Sequence, residues 1–410
     1  MTTKIGAWLI GAGGALASTV VVGARAITHG LAGPTGLVTE LPELRALSLL
    51  GLDQLVFGGW EINSRGVLHQ ARALASDHRA LSPGLVAAME DDLLAVERRV
   101  RPGFADNGGP AARARAGRGT RSRRELLEPA VARLGDDLER FRDHERLGTV
   151  VVINVASTEP PIAMGAEHER LGSFRRLLRE DRRDLVTPSM LYAYAALERG
   201  FPYVNFTPSL GITPPALQEL GHTRGVPFFG SDGKTGETLM KTVLAPLFRY
   251  RNLEVLSWEG VNLLGGGDGE VLANPRHKQS KLRSKSGVLA PSLGYAPHAS
   301  VSIEYVPSLG NWKTAWDFIH FRGFLDTRMS VQFIWQGCDS VLAAPLVLDL
   351  VRMAEFAQRA GETGPMTHLA CFFKDPLGVR VSAFPDQVQL LMDYVDRHAG
   401  GALARARGGR

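Results

Sequence analysis

The chain has 410 residues, 44% hydrophobic and 22% charged, with a formal net charge of +5. That is the composition of a globular protein of about two domains with a sizeable core, and it excludes a disordered or fibrous chain. Two cysteines, Cys338 and Cys371, cannot build a disulfide framework or a four-thiolate zinc site, so a reducing cytoplasm is expected and a transition-metal site is not. The positive charge is local. Residues 98–124 hold nine arginines against one acid, Asp106, a local +8 that leaves the rest of the chain at −3. Without interleaved aromatics this Gly/Ala-rich stretch reads as a solvated, dispensable loop, and no nucleic-acid partner is expected.

Only eight of the 47 basic residues are lysine, and seven of those eight lie within residues 234–374. A chain that otherwise uses arginine for positive charge has concentrated the one cation that exchanges protons readily.

Residues 4–10 read as a strand, 11–14 as a glycine turn, and the chain from there to about His29 as a helix. This opens a dinucleotide-binding unit, in which glycines let the backbone approach a pyrophosphate at a helix N-terminus. Gly11 and Gly13 fit G-x-G-x-x-G, while the third position is Leu16. The same glycines interrupt the apolar run 5–22, so neither a secretory segment nor a membrane span is expected. "GLVTELP" (36–42) reads as a second strand ending at Glu40, an acid placed to meet ribose hydroxyls.

The stretches 66–100 and 124–146 are helix-patterned. "LGTVVVINVASTEPP" (147–161) and "GFPYVNFTPS" (200–209) read as buried parallel strands ending in small polar residues, among them Asn154, Ser157 and Asn205. "SMLYAYAALERG" (189–200) is a helix stopped by Gly200. Gly233-Lys234-Thr235 suggests a phosphate-cradling P-loop, but the glycine required five positions earlier is Phe228, so that reading fails. From about 240 the pattern changes to strands such as "LEVLSWEGVNLL", "ASVSIEYVPSL" and "MSVQFIWQG". A long helix (339–360) follows, then "HLACFFKDPLG" as a short strand and loop. Lys281 and Lys285, four apart, would share one helical face and repel unless an anion such as a phosphate ester sits between them.

"GSDGKTGETLMKTVLAPLF", "NLLGGGDGEVLANPRHKQSKLRSK", "PSLGNWKTAWDFIHF", "CDSVLAAPLVLDL" and "FFKDPLG" resemble, in order, signatures of the myo-inositol-1-phosphate synthases, especially their shorter prokaryotic branch. "GAGGALASTVVVGARAI", "VVINVASTEP" and "YVNFTPS" resemble that family's NAD-binding segments. The resemblance implies an α/β fold, with a Rossmann-type NAD-binding domain (1–240) and an inserted α+β catalytic and oligomerisation domain (241–338). A C-terminal segment (339–410) would return to the first domain. It implies an isomerase that recycles NAD+: glucose 6-phosphate is oxidised at C5, closes by an internal aldol reaction, and is reduced again to inositol phosphate.

By motif position the resemblance places Lys281, Lys285, Lys313, Lys374, Asp268 and Asp339 in the catalytic set, with Lys281 exchanging the proton at the C5 oxygen. It places Gly11, Ala12, Gly13, Gly14, Ala15, Glu61, Ser157, Asn205, Asp232, Thr235, Gly236 and Asn262 around the cofactor. It further implies a homotetramer and leaves open a divalent or monovalent cation near the substrate phosphate.

The chain departs from the family pattern at Val261, where tyrosine is usual, and at Gly266 and Gly267, where polar residues precede Asp268. Lost hydrogen bonds there point to an alternative substrate, such as fructose 6-phosphate closing to a cyclopentane in secondary metabolism. A plain NAD-dependent dehydrogenase is the lesser alternative.

Overall fold

The computed structural model describes residues 3–106, 108, 116, 125–266, 269 and 288–408. Asp268, Lys281, Lys285, Gly267 and most of the basic stretch 98–124 lie outside these described residues.

The first strand, β1 (Ile5–Ile10), is buried at every position, as a strand covered on both faces must be. Helix α1 (Ala15–Thr28) follows the glycine turn, and β2 (Leu55–Glu61) is again wholly buried. Helices α2 (Val67–Ser76), α3 (Pro83–Ala88) and α4 (Glu90–Glu97) lead to the short β3 (Val100–Pro102). Then come α5 (Leu127–Glu145), β4 (Val150–Asn154), α6 (Leu171–Arg179), α7 (Pro188–Glu198), β5 (Tyr203–Asn205), α8 (Pro215–Arg224) and β6 (Pro227–Gly230).

Helix α9 (Gly236–Tyr250) carries the chain out of this layer. It is followed by β7 (Glu254–Leu264), α10 (Leu289–Leu293), β8 (His298–Tyr305), β9 (Trp312–Arg322) and β10 (Arg328–Cys338). Helix α11 (Asp339–Arg359), β11 (Gly364–Pro365) and α12 (Phe384–Gly408) complete the chain.

Seven strands form one sheet in the order β11-β6-β5-β4-β1-β2-β3, with every pairing parallel. Six of them stand in the doubly wound 3-2-1-4-5-6 order, which puts a ligand crevice at the carboxyl ends of the strands beside β1 and β4. β11 reaches the sheet from the far end of the chain, pairing Gly364 with Pro227. One apolar cluster joins α1, α2 and α11 to one face; a second joins α5, α6, α7 and α8 to the other.

The four strands β10-β9-β7-β8 form a second, mixed sheet, in which β7 and β8 are parallel and the other pairs antiparallel. Trp258, Ile319 and Phe321 pack from its inner face against Ala245 and Phe248 of α9. Along β9, Lys313, Ala315, Asp317, Ile319 and Phe321 are buried while the intervening residues are not, the period-two signature of a sheet covered on one side.

Three expectations from the sequence change. "GLVTELP" is not a strand: 38–40 and 42–47 are short 3-10 turns, and the second strand is β2. Glu40 therefore sits away from any strand end and pairs with Arg352 at 2.7 Å. Residues 367–372 form a 3-10 helix rather than a strand. β9 carries no plain strand signature in the sequence, because its run Trp312–Arg322 mixes lysine, threonine, aspartate and histidine into its alternation.

Candidate active site

The glycine turn is shaped by contacts that no side chain would permit. Gly11 has φ +85°, and a Cβ there would lie 2.9 Å from the Cα of Ala156. At Gly13 it would lie 2.9 Å from the Arg65 carbonyl oxygen and 3.0 Å from Glu61 Oε2. The Gly13 N–H donates to Glu61 Oε2 at 2.7 Å, and Glu61 Oε1 accepts from the Ile62 and Asn63 backbones and the Asn63 amide. Glu61, at the carboxyl end of β2, thus fastens the turn to the neighbouring strand.

Gly14 caps α1 without a side-chain bond, and no acid lies in the first turn. The helix N-terminus is open to an anion, the arrangement a dinucleotide pyrophosphate uses. The Gly11, Ala12, Gly13 and Gly14 N–H groups are all spent on protein oxygens, so the glycines supply the room for that group and the first turn of α1 the donors it would meet.

Neighbouring strand ends carry the rest of the crevice. Asn205 is fully buried, donating to the Ser209 carbonyl at 2.6 Å and accepting from Thr207 Oγ1 at 2.9 Å. It braces the loop after β5. Ser157 lies exposed beyond β4.

After β6 the chain is stitched to the segment 372–377 by a ladder of backbone bonds. Ser231 donates to Asp375, Lys234 to Phe372, Lys374 to Asp232 and Leu377 to Gly230. This pairing lays Lys374 on Asp232, Nζ to Oδ1 at 2.9 Å, with both side chains less than a tenth exposed. Lys234 turns the other way: its Nζ donates to Gln387 Oε1 and lies 5.8 Å from the Phe384 ring centre. Burial lowers its pKa to about 8. The lysine of Gly-Lys-Thr is a packed interior residue here.

Thr235 caps α9, and Gly236 begins it at φ +57°. A Cβ on Gly236 would stand 3.5 Å from Lys313 Nζ, so the inner face of the second sheet meets the start of α9, just beyond the carboxyl end of β6, at this point. Lys313 pairs with Asp339, the first residue of α11, at 3.5 Å.

Behind them lies a buried ionic cluster that the sequence did not reveal as a unit. Lys241 Nζ meets Glu237 Oε1 at 2.6 Å and Asp317 Oδ1 at 3.8 Å. Asn262 donates to Glu237 Oε2 at 2.6 Å, and Trp258 Nε1 to Asp317 Oδ1 at 2.7 Å. A Cβ at Gly260 would crowd Glu237, Asp317 and Lys241 together. The spacing Glu237-x-x-x-Lys241 on one helix was the available signal. Asn262, expected beside the cofactor, is fully buried within this cluster.

Val261 does not belong to that face. Its neighbours Gly260 and Asn262 point inward, so Val261 points outward, in register with Trp316. Its departure from the family pattern therefore removes no hydrogen bond from the inner face.

A doubly wound sheet with a glycine cradle, joined at its crevice to a second sheet bearing buried lysine–carboxylate pairs, defines a dinucleotide-binding enzyme of two layers. Residues 5–395 match the model of the myo-inositol-1-phosphate synthase family. The chain is 34% identical to inositol-3-phosphate synthase 1 of Bacteroides thetaiotaomicron over 395 residues, covering 92% of this chain and 90% of that one. To the inositol-3-phosphate synthase of Spirodela polyrhiza it is 28% identical over 400 residues, 87% and 75% of the two chains. Among solved structures, inositol-3-phosphate synthase from Caenorhabditis elegans superposes with TM-score 0.86 at 23% identity, over 97% of this chain and 86% of that one. A myo-inositol-1-phosphate synthase-related protein from Thermotoga maritima does so with TM-score 0.77 at 21% identity, over 96% and 98%. These two likenesses show the fold. The chain belongs to the myo-inositol-1-phosphate synthase family, and it is an NAD-using enzyme of the isomerase type.

A first consequence concerns the cradle. Gly13→Ala forces the new methyl against the Arg65 carbonyl and Glu61 Oε2, so the turn must shift. Calorimetric titration is expected to give an NAD+ dissociation constant raised about tenfold or more, equivalent to ~1.4 kcal/mol. An unchanged constant would show that the turn does not touch the cofactor.

Proposed function

We propose that this chain converts glucose 6-phosphate to inositol 3-phosphate by NAD-dependent oxidation, enolisation, intramolecular aldol closure and re-reduction, with no net redox change. The observation that carries this reading is the meeting of Lys313 with Gly236. It brings the Lys313 ammonium of the second sheet to the loop that follows β6 at the carboxyl end of the first. Held at the turn Gly11–Ala15, NAD+ would supply the hydride acceptor for the oxidation and, once reduced, the hydride donor for the return.

The chain's own residues do the rest. Lys374 and Lys313, each held by a carboxylate, offer protonated donors to an oxygen that gains negative charge as the carbon–carbon bond closes. Their burial keeps water from competing for that oxygen and strengthens the attraction. Holding an acyclic sugar in a curled shape supplies part of the rate through orientation alone. Lys281, Lys285 and Asp268 join this set on motif position, and a divalent or monovalent cation beside the substrate phosphate belongs to the same reading.

The proposed division is a cofactor domain of 1–240, a catalytic and oligomerisation domain of 241–338, and a returning segment of 339–410. The β11–β6 pairing supports the return. Among the described residues no helix is long and apolar enough to cross a membrane, and both cysteines are free and buried, in keeping with a cytoplasmic enzyme.

The outer face of the second sheet supports an oligomer. Trp312, Trp316 and Ile334 stand on it partly or largely exposed, with Phe324 and Leu325 at its rim. Such a patch marks a protein contact, here with further copies of the chain in a homotetramer. Light scattering is expected to give a tetramer for the wild type and a smaller species for the double variant Trp316→Glu, Ile334→Glu. A monomeric wild type at micromolar concentration would contradict this.

The test of function is product analysis with glucose 6-phosphate and fructose 6-phosphate side by side. Inositol phosphate from the first and no carbocycle from the second is expected. The reverse pattern would move the chain to the alternative substrate.

A further inference from the structure

Among the described residues, the edge strand of the second sheet contributes an indole that no part of the proposed chemistry has used. Trp335, on β10, pairs with Ala315 and so lies on the same inner face as Lys313 and Asp317. Its Nε1 is buried from solvent and has no hydrogen-bond partner among the described residues. A Cβ on Gly236 would be 3.9 Å from Trp335 Cδ1 and Nε1, and 3.5 Å from Lys313 Nζ. A Cβ on Gly337 would be 3.3 Å from the same indole nitrogen. Two glycines thus leave room beside an N–H with nothing to bond.

An indole nitrogen donates and does not accept, and an ammonium also only donates. Trp335 and Lys313 therefore cannot satisfy each other. A buried donor without an acceptor is costly to keep, and a catalytic or binding role is one of the few reasons for a protein to retain one. What fits between an indole N–H and a lysine is an oxygen bearing negative charge or strong carbonyl character. Val261, where the chain departs from the family pattern, faces the other way.

We infer that Trp335 is a specificity-determining residue: its indole N–H donates to the substrate oxygen that Lys313 also serves, and its ring walls the site beside Gly236. This rests on the sugar-phosphate reading above. The indole fixes where that carbonyl oxygen must lie along the acyclic sugar, and so selects an aldehyde at C1 over a ketone at C2. A site built around a substrate oxygen discriminates strongly, because the wrong substrate leaves the donor unpaired.

The experiment compares wild type, Trp335→Phe and Trp335→His on both hexose phosphates, with NAD+ affinity and melting temperature measured alongside. Trp335 is partly exposed on an edge strand, so both variants are expected to fold. The phenylalanine variant is expected to lose roughly 10- to 100-fold in kcat/KM for glucose 6-phosphate, because the substrate oxygen is left short of a donor. Its preference over fructose 6-phosphate should narrow, with the NAD+ dissociation constant unchanged. The histidine variant, which keeps a ring N–H, should recover part of the loss. Turnover by Trp335→Phe within twofold of wild type, or equal losses in both variants, would overturn the inference. A wild type that cyclises neither sugar would overturn the proposed function and this inference with it.

Nitrogen-15 indole resonances of the wild type give an independent reading that needs no variant to be active. The Trp335 N–H, assigned by its loss in Trp335→His, should move on adding glucitol 6-phosphate with NAD+. A resonance that stays in place while the ligand binds would overturn the proposal.

Discussion

Lys374→Met is expected to lower turnover by roughly 10²–10⁴ and also to lower the melting temperature, and the two losses have separate causes. The Lys374–Asp232 pair is buried on both sides at 2.9 Å, so removing the ammonium takes this ion pair from a carboxylate held away from water. Breaking a buried pair from one side costs about 3–5 kcal/mol. The double variant Asp232→Asn, Lys374→Met removes the buried carboxylate's charge as well and should recover much of the melting temperature. It should not recover turnover, because the donor to the developing oxyanion is still missing, and a positioned acid–base or oxyanion group is worth about that factor. Turnover that returned together with stability in the double variant would reduce Lys374 to a structural brace.

The second large effect is expected at Lys281. Replacement by arginine keeps the positive charge, and this chain uses 39 arginines against eight lysines wherever charge alone is needed. A guanidinium, with a pKa above about 12, cannot take and return a proton at neutral pH. If Lys281 exchanges the proton of the C5 hydroxyl, Lys281→Arg should lower kcat by roughly 10²–10⁴. NAD+ affinity and melting temperature should hardly change. An arginine variant turning over its substrate at near the wild-type rate would leave Lys281 as a charge beside the phosphate.

Much of the architecture could be read from local pattern. The run Val150–Asn154 is continuously β-branched and ends in asparagine, and it proved to be a central parallel strand. The glycine turn after β1 was equally plain, because the residues that permit a close backbone approach are chemically distinctive. The true second strand was harder. "LVFGGWE" has two central glycines, which look like a turn, yet in space they make room: a Cβ on Gly58 would meet the Trp8 ring at 2.8 Å. "GLVTELP" looked more strand-like and folded into 3-10 turns, where Asp349 on the distant α11 accepts from the Val38 and Thr39 backbones.

The candidate site divided along the same line. Residues in contiguous motifs, such as Gly11–Ala15 and Asp232–Gly236, could be picked out from spacing and resemblance. Pairings between remote segments could not. Lys374 reaches Asp232 only because the chain around 372–377 pairs with the loop after β6. Lys241, Glu237 and Asp317 form one cluster only once α9 lies across the second sheet. Trp335 read as an ordinary strand aromatic until the register with β9 put it beside Lys313.

The central claim is a redox-neutral cyclisation, and glucose 6-phosphate carrying deuterium at C5 tests it most directly. The hydrogen removed in the oxidation should be the one returned in the reduction. The account predicts inositol phosphate that retains the deuterium on the corresponding ring carbon, formed while the absorbance of reduced nicotinamide stays flat. Deuterium accumulating in a growing pool of reduced cofactor, in step with a keto sugar product, would contradict it and make the protein a dehydrogenase.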